Sequence, residues 1–147
     1  MSKAIKHTYY FTYPPEVVWK YLTTSELIEQ WLMKNTFKLE ADYEFTFSTM
    51  PLPQFNFDGN VFCKVLEIVP LEKLSYSWAG GPAPGQITLE SVVTWTLVPT
   101  DNGTELHLEH RGFKEENTPI FNAMNHGWQE ILPKIDKLIK AEKDGNA

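Results

Sequence analysis

The densest cluster of groups that could bind a metal or move a proton is His107, Glu109 and His110. In an extended segment successive side chains alternate between faces, so His107 and Glu109 share one face and His110 takes the other. A zinc ion needs ligands converging on it at about 2 Å, and this set cannot converge, so no metal site is expected. His110 shares its face with Leu106 and Leu108 and should point inward. There a neutral imidazole could hydrogen-bond a ligand carbonyl or phenol, or be a core histidine with both nitrogens satisfied by the protein. Both readings stay open. His126, two residues before Trp128 on a helical segment, should face solvent.

Cys63, the single cysteine, has no adjacent base or cation to lower its pKa, which an attacking thiolate requires. Glu16, Glu26 and Glu29 lack a partner at the spacing of a paired acid and base. The chain contains no phosphate-cradling glycine loop and no nucleophile elbow. These motifs assign no catalytic residue, metal or cofactor.

The elements that must position these groups change period along the chain. Ile5 to Thr12 reads as a strand with Ile5, His7, Tyr9 and Phe11 on one face. Pro14 and Pro15 open a short helix carrying Val18, Trp19 and Leu22. The sequence Thr23-x-x-Glu26 predicts a capping box for a second, with Leu27, Ile28, Trp31 and Leu32 as its stripe. From Thr36 to Arg111 the period is two. Phe37 and Leu39 suggest one strand, Tyr43, Phe45 and Phe47 the next, and Val61 to Val69 and Lys73 to Ala79 two more. Ile87 to Val98 and Thr104 to Arg111 form a hairpin whose Asn102-Gly103 step should supply positive φ angles. Thr118 as N-cap and Pro119 open a last helix with Ile120, Met124, Trp128, Ile131, Ile135 and Leu138 on one face. Pro133 should kink or split it near Gln129.

The 147 residues form one domain, 1–147, with frayed ends at Ser2 and Lys3 and from Lys143 to Ala147. A net charge of -6 opposes binding to nucleic acid or an anionic membrane, both of which need clustered positive charge. No apolar run reaches the roughly 20 residues of a membrane-spanning helix. With one cysteine and no signal-like N-terminus, the expectation is a soluble protein of the reducing cytoplasm.

One strand, two short helices, a run of strands and one long amphipathic helix describe an α+β fold: a curved antiparallel sheet of six or seven strands around the C-terminal helix. A concave sheet and a straight helix meet poorly at the centre, so large rings or a ligand must fill the gap. The candidate lining is Phe45, Phe47, Cys63, Val65, Tyr76, Trp78, Trp95, His110, Met124 and Trp128, with 51–57 and 80–85 as rim loops. Each of these side chains can equally be ordinary core.

Motifs in order along nearly the whole chain carry a resemblance. They are Pro15-Glu16-x-x-Trp19-x-x-Leu22-Thr23, Glu26-Leu27, Gln30-Trp31, Gly59 ahead of Val65-Leu66-Glu67-Ile68-x-Pro70, and Leu74-Ser75-Tyr76-Ser77-Trp78. Gly103-Thr104-Glu105-Leu106-x-Leu108-x-His110-x-Gly112-Phe113 and Gly127-Trp128 with Leu132 complete the set. The chain thus resembles the family related to the C-terminal domain of the activator of heat-shock-protein-90 ATPase, within the START-like (SRPBCC) superfamily. The resemblance implies the helix-grip fold, also that of the birch-pollen allergen, and binding of lipid-like or polycyclic ligands. It transfers no catalytic mechanism, and Pro133 departs from the family's helix. The function expected first is binding of a small hydrophobic molecule, lipid-like, isoprenoid or flavonoid-like. A cyclase or dehydratase using His110 or Tyr76, and a module that modulates a chaperone partner's ATPase, are the alternatives.

Overall fold

The computed structural model describes residues 3–83 and 85–145. The chain runs β1 (Lys3–Phe11), α1 (Pro15–Thr23), α2 (Ser25–Trp31), β2 (Lys34–Asn35), β3 (Glu44–Ser48), β4 (Asn60–Val69), β5 (Lys73–Gly80), β6 (Leu89–Thr100), β7 (Gly103–Phe113) and α3 (Thr118–Gly145). All seven strands join one antiparallel sheet in the order β1-β7-β6-β5-β4-β3-β2. Only β1 leaves sequence order, crossing by way of α1 and α2 to the far edge. This is the helix-grip fold expected, a sheet of seven strands gripping the long helix.

Strand alternation decides which side chains meet α3. Phe45 and Phe47 of β3, Val61, Cys63 and Val65 of β4, Leu74, Tyr76 and Trp78 of β5 and Val93, Trp95 and Leu97 of β6 are all buried. On β7 the alternation Leu106, Leu108, His110 is broken by Gly112 at φ 109°, a bulge that turns Phe113 inward as well. The grip is closed at the β1 edge, where Tyr9 donates a 2.8 Å hydrogen bond to Asp136 and the His7 ring lies 2.8 Å from the Asn125 side-chain oxygen, both on α3.

The structure corrects five local expectations. Thr23 forms no capping box; its hydroxyl donates to the Trp19 carbonyl one turn back, and Thr24 takes the N-cap position without a side-chain bond. The strand expected at Phe37 and Leu39 does not form; the pairing with β3 is made earlier, by Lys34 and Asn35 of β2, and the Asn35 side chain then accepts from the Phe37 N–H where the chain leaves the ladder. Phe37 is buried and Leu39 exposed. Thr118 is helical rather than a cap, since a preceding 3-10 turn, Glu115–Asn117, runs straight into α3. Pro133 does not split the helix. Leu132, Ile135 and Ile139 bury around it, and that packing holds a 28-residue helix, about 42 Å long, through the missing hydrogen bond.

The fifth correction concerns the β6–β7 turn. Thr100 pairs directly with Gly103, and neither Asn102 nor Gly103 has a positive φ. Gly103 is needed for space: a Cβ there would stand 1.9 Å from the Phe11 carbonyl oxygen of β1. The frayed ends expected at Ser2, Asn146 and Ala147, and the loop position Pro84, lie outside the described residues. Lys3 belongs to β1, and Lys143 and Asp144 belong to α3.

Gly103→Ala should therefore destabilise by about 1–3 kcal/mol, as overpacking does, whereas Asn102→Ala should stay within about 0.5 kcal/mol. Thermal melts of both variants test the point. A Gly103→Ala melt superimposable on the parent would show that β1 yields without strain.

Candidate functional site: an apolar cavity beside a sealed aromatic core

The space between sheet and helix is divided in two. Side chains on α3 recur in two neighbouring stripes, each with the spacing four, three, four of a helical face. Trp128, Leu132, Ile135 and Ile139 are buried against the sheet. Ile120, Met124, Gly127 and Ile131 line a cavity of about 450 Å³. Its other walls are Leu32 and Met33 after α2, Leu52, Phe55 and Phe57 of the loop before β4, and Val61, Trp78, Gly80 and Leu89 of the sheet. That volume lies in the range of small-molecule sites, and the walls are mainly apolar.

Of the ten lining candidates, the structure puts Trp78, Met124 and Trp128 on the cavity wall. Phe45, Phe47, Cys63, Val65, Tyr76, Trp95 and His110 are instead buried in the closed core. The reason is packing. Phe37, Phe45, Phe47 and Tyr76 pack against one another, edge to face or tilted, with centroids 5.0–6.4 Å apart, and all four are buried. Trp31, Trp95, Trp128 and Trp78 continue the seam at 5.6–5.9 Å. Strand periodicity finds every ring that faces inward but cannot tell which of them meets another ring and which meets open space.

Hydrogen bonds seal the core. Trp95 donates to the Tyr76 hydroxyl at 2.9 Å, and Trp31 donates to the Tyr21 carbonyl at 2.9 Å. The Trp128 N–H donates to His110 Nδ1 at 3.1 Å. The Ser91 hydroxyl donates to the Trp78 carbonyl at 2.8 Å, which leaves Ser91 Oγ to accept from His110 Nε2–H, also at 2.8 Å. His110 is therefore the neutral Nε2–H tautomer with both nitrogens satisfied, the core-histidine alternative of the two read from sequence. Burial lowers its pKa to about 3. Burial likewise raises the Tyr76 hydroxyl and the Cys63 thiol well above their ordinary values, so neither ionises near neutral pH.

The remaining polar candidates lie elsewhere. His107 faces outward, 2.7 Å from Glu105, and His126 is an exposed partner of Glu130 at 3.0 Å. No cluster of metal-ligating side chains occurs among the described residues. The expected rim loops 51–57 and 80–85 do reach the cavity, bringing Gln54 and Asn56 to its wall; sequence reasoning missed Glu116 and Asn117, which add to its polar edge. Asn117 is itself committed, accepting from the Lys114 N–H and donating to the Thr88 carbonyl.

Two outcomes follow from the sealed core. Trp128→Ala should cost about 3–5 kcal/mol, as loss of a buried large ring does, and Trp128→Phe about 1–3 kcal/mol, since the His110 acceptor loses its donor. Denaturant unfolding measures both. The unfolded chain protonates His110 near pH 6.5, while the fold refuses that proton until about pH 3. Stability is therefore full above pH 6.5 and falls on acidification through that window, by up to about 1.4 kcal/mol per pH unit. His110→Asn should flatten this slope, and equal slopes in parent and variant would mean that the imidazole protonates freely in the fold.

Known proteins share this architecture. Residues 12–140 match the family described as Activator of Hsp90 ATPase homolog 1-like protein. Protein MLL2253 from Mesorhizobium loti is 33% identical, with a TM-score of 0.84 over 94% of this chain and 97% of that one. Protein BH1534 from Bacillus halodurans is 26% identical, with a TM-score of 0.72 over 93% of this chain and 96% of that one. DynU16, a protein of the dynemicin biosynthetic locus, shares the fold at 14% identity and a TM-score of 0.76; 95% of this chain covers 48% of DynU16. No curated protein matches the sequence significantly. The fold family is one of small-molecule binding, and among the described residues no helix is long and apolar enough to cross a membrane. The chain belongs to the Activator of Hsp90 ATPase homolog 1-like family, within the START-like superfamily.

Proposed function

We propose that the protein binds one small hydrophobic molecule, of lipid-like, isoprenoid or polycyclic type, in the cavity between α3, the rim loops and the sheet. The observation that carries this reading is Gly127. A glycine inside a helix costs roughly 0.5–1 kcal/mol relative to alanine, and a glycine in a packed helix is usually there because a neighbour comes too close for a Cβ. Gly127 has no such neighbour: beyond the adjoining residues and the backbone of its own helix, a Cβ built on it meets no atom within 4 Å. It stands on the wall of the cavity, so the space it keeps open is the space a ligand would fill.

The groups that could have supported an enzyme of the cyclase type stand apart from that space. His110 and Tyr76 are buried behind the ring seam with their polar atoms engaged. Glu116 is the sole ionisable side chain among the described residues of the cavity wall, and a single exposed carboxylate provides no paired acid and base. Reversible binding requires neither.

The test is a nitrogen-15 amide screen against fatty acids, sterols, isoprenoids and polyphenols. Saturable shifts should concentrate at Phe57, Leu89, Met124 and Trp128, and a well-dispersed spectrum unmoved by every compound would sink the proposal. Two substitutions sharpen it. Gly127→Ala should stabilise the unliganded protein by about 0.5–1 kcal/mol, and Gly127→Phe should keep the fold yet abolish the shifts by filling the cavity. Binding unimpaired in a folded Gly127→Phe variant would place the ligand elsewhere.

A further inference from the structure

Resting on the reading of the cavity as a ligand site, we infer that it selects lipophiles without negative charge, and favours one ending in an amine over the same skeleton ending in a carboxylate. A buried carboxylate needs a cation or several N–H donors to replace its water. The cavity wall contains no lysine, arginine or histidine among the described residues. At the start of α3, where backbone donors gather, the leading ones are already spent. The Asn117 N–H bonds to the Lys114 carbonyl, the Thr118 N–H bonds to the Glu115 carbonyl, and Pro119 has none.

The positive end of the α3 dipole is answered from within the chain. Glu115 and Glu116 occupy the turn directly before the helix, where acidic side chains interact favourably with it. Glu116 also lines the cavity, and among the described residues it takes part in no ion pair. A ligand that enters apolar end first leaves its polar end near this carboxylate. An anionic end is repelled at the mouth and meets only the neutral donors of Gln54, Asn56, Thr49 and Thr88 if drawn inside, with no cation to balance it; a hydroxyl is accepted, and an ammonium gains an opposite charge.

The measurement uses one skeleton with three ends, pyrenebutylamine, pyrenebutanol and pyrenebutyric acid, titrated against the full chain at neutral pH. Energy transfer from Trp78 and Trp128, both on the wall, to the pyrene reports occupancy. The amine should bind roughly 2–5-fold more tightly than the alcohol, as expected for a solvent-exposed charge pair, and the acid at least about 10-fold more weakly. Glu116→Gln should erase the amine's advantage, and Glu116→Lys should bring the acid level with the alcohol. If the acid binds the parent protein as tightly as the alcohol, charge selection is wrong and the cavity reading survives. If the folded protein binds none of the three, both are wrong.

Discussion

The indole of Trp128 is the joint between helix and sheet on which the interior depends. Its ring meets Trp78 and Trp95 edge to face, and its N–H reaches His110 on β7. That one bond settles the histidine's tautomer, and with it the direction of the bond to Ser91 and the Trp78 carbonyl. A buried polar chain of this kind is favourable only when every member is satisfied, so the helix must sit at one height and rotation on the sheet. Apolar packing alone would tolerate sliding between nearby arrangements; a donor that must meet one ring nitrogen does not.

The fixed rotation of α3 creates the cavity. With Trp128 directed into the sheet, the stripe one position away, Ile120, Met124, Gly127 and Ile131, faces the opening beneath the rim loops. The sheet contributes large rings where the gap is narrow and leaves it unfilled where the loop before β4 bends over it. Trp78 and Trp128 belong to both regions, packed by the aromatic seam and also lining the cavity.

The fold was legible in the residues because its signals are local. Alternating apolar side chains mark β3 to β7, paired prolines mark the start of α1, and a long apolar stripe marks α3. The failures were also physical. Leu39 has the spacing of a strand residue, but the Asn35 side chain takes the Phe37 N–H first. The Asn102-Gly103 pair looks like a positive-φ turn, yet its glycine answers a long-range approach by Phe11 that no local pattern encodes. Pro133 should break a helix standing alone, and buried neighbours on both sides hold it together. The candidate site was legible only in part, three of the ten lining candidates and the rim loops, for a related reason. Inward-facing residues follow from periodicity, whereas openness depends on how loops and a helix settle against them. The spacing of Ile120, Met124, Gly127 and Ile131 was the available clue, hidden within a single broad stripe.

A division of labour follows from the sealed seam. Its polar groups are committed to one another: His110 to Trp128 and Ser91, Tyr76 to Trp95, and Cys63 to an apolar surround that keeps its thiol protonated. Altering His110, Tyr76 or one of their partners to meet a ligand would leave a buried polar group unpaired, at about 1–3 kcal/mol for each. The side chains at the mouth are under no such constraint, since Gln54, Asn56 and Glu116 lie on turns that the core does not need. On the proposed binding function, specificity can therefore change at the rim while the gripping core stays as it is, which is the usual relation between recognition loops and the scaffold that positions them.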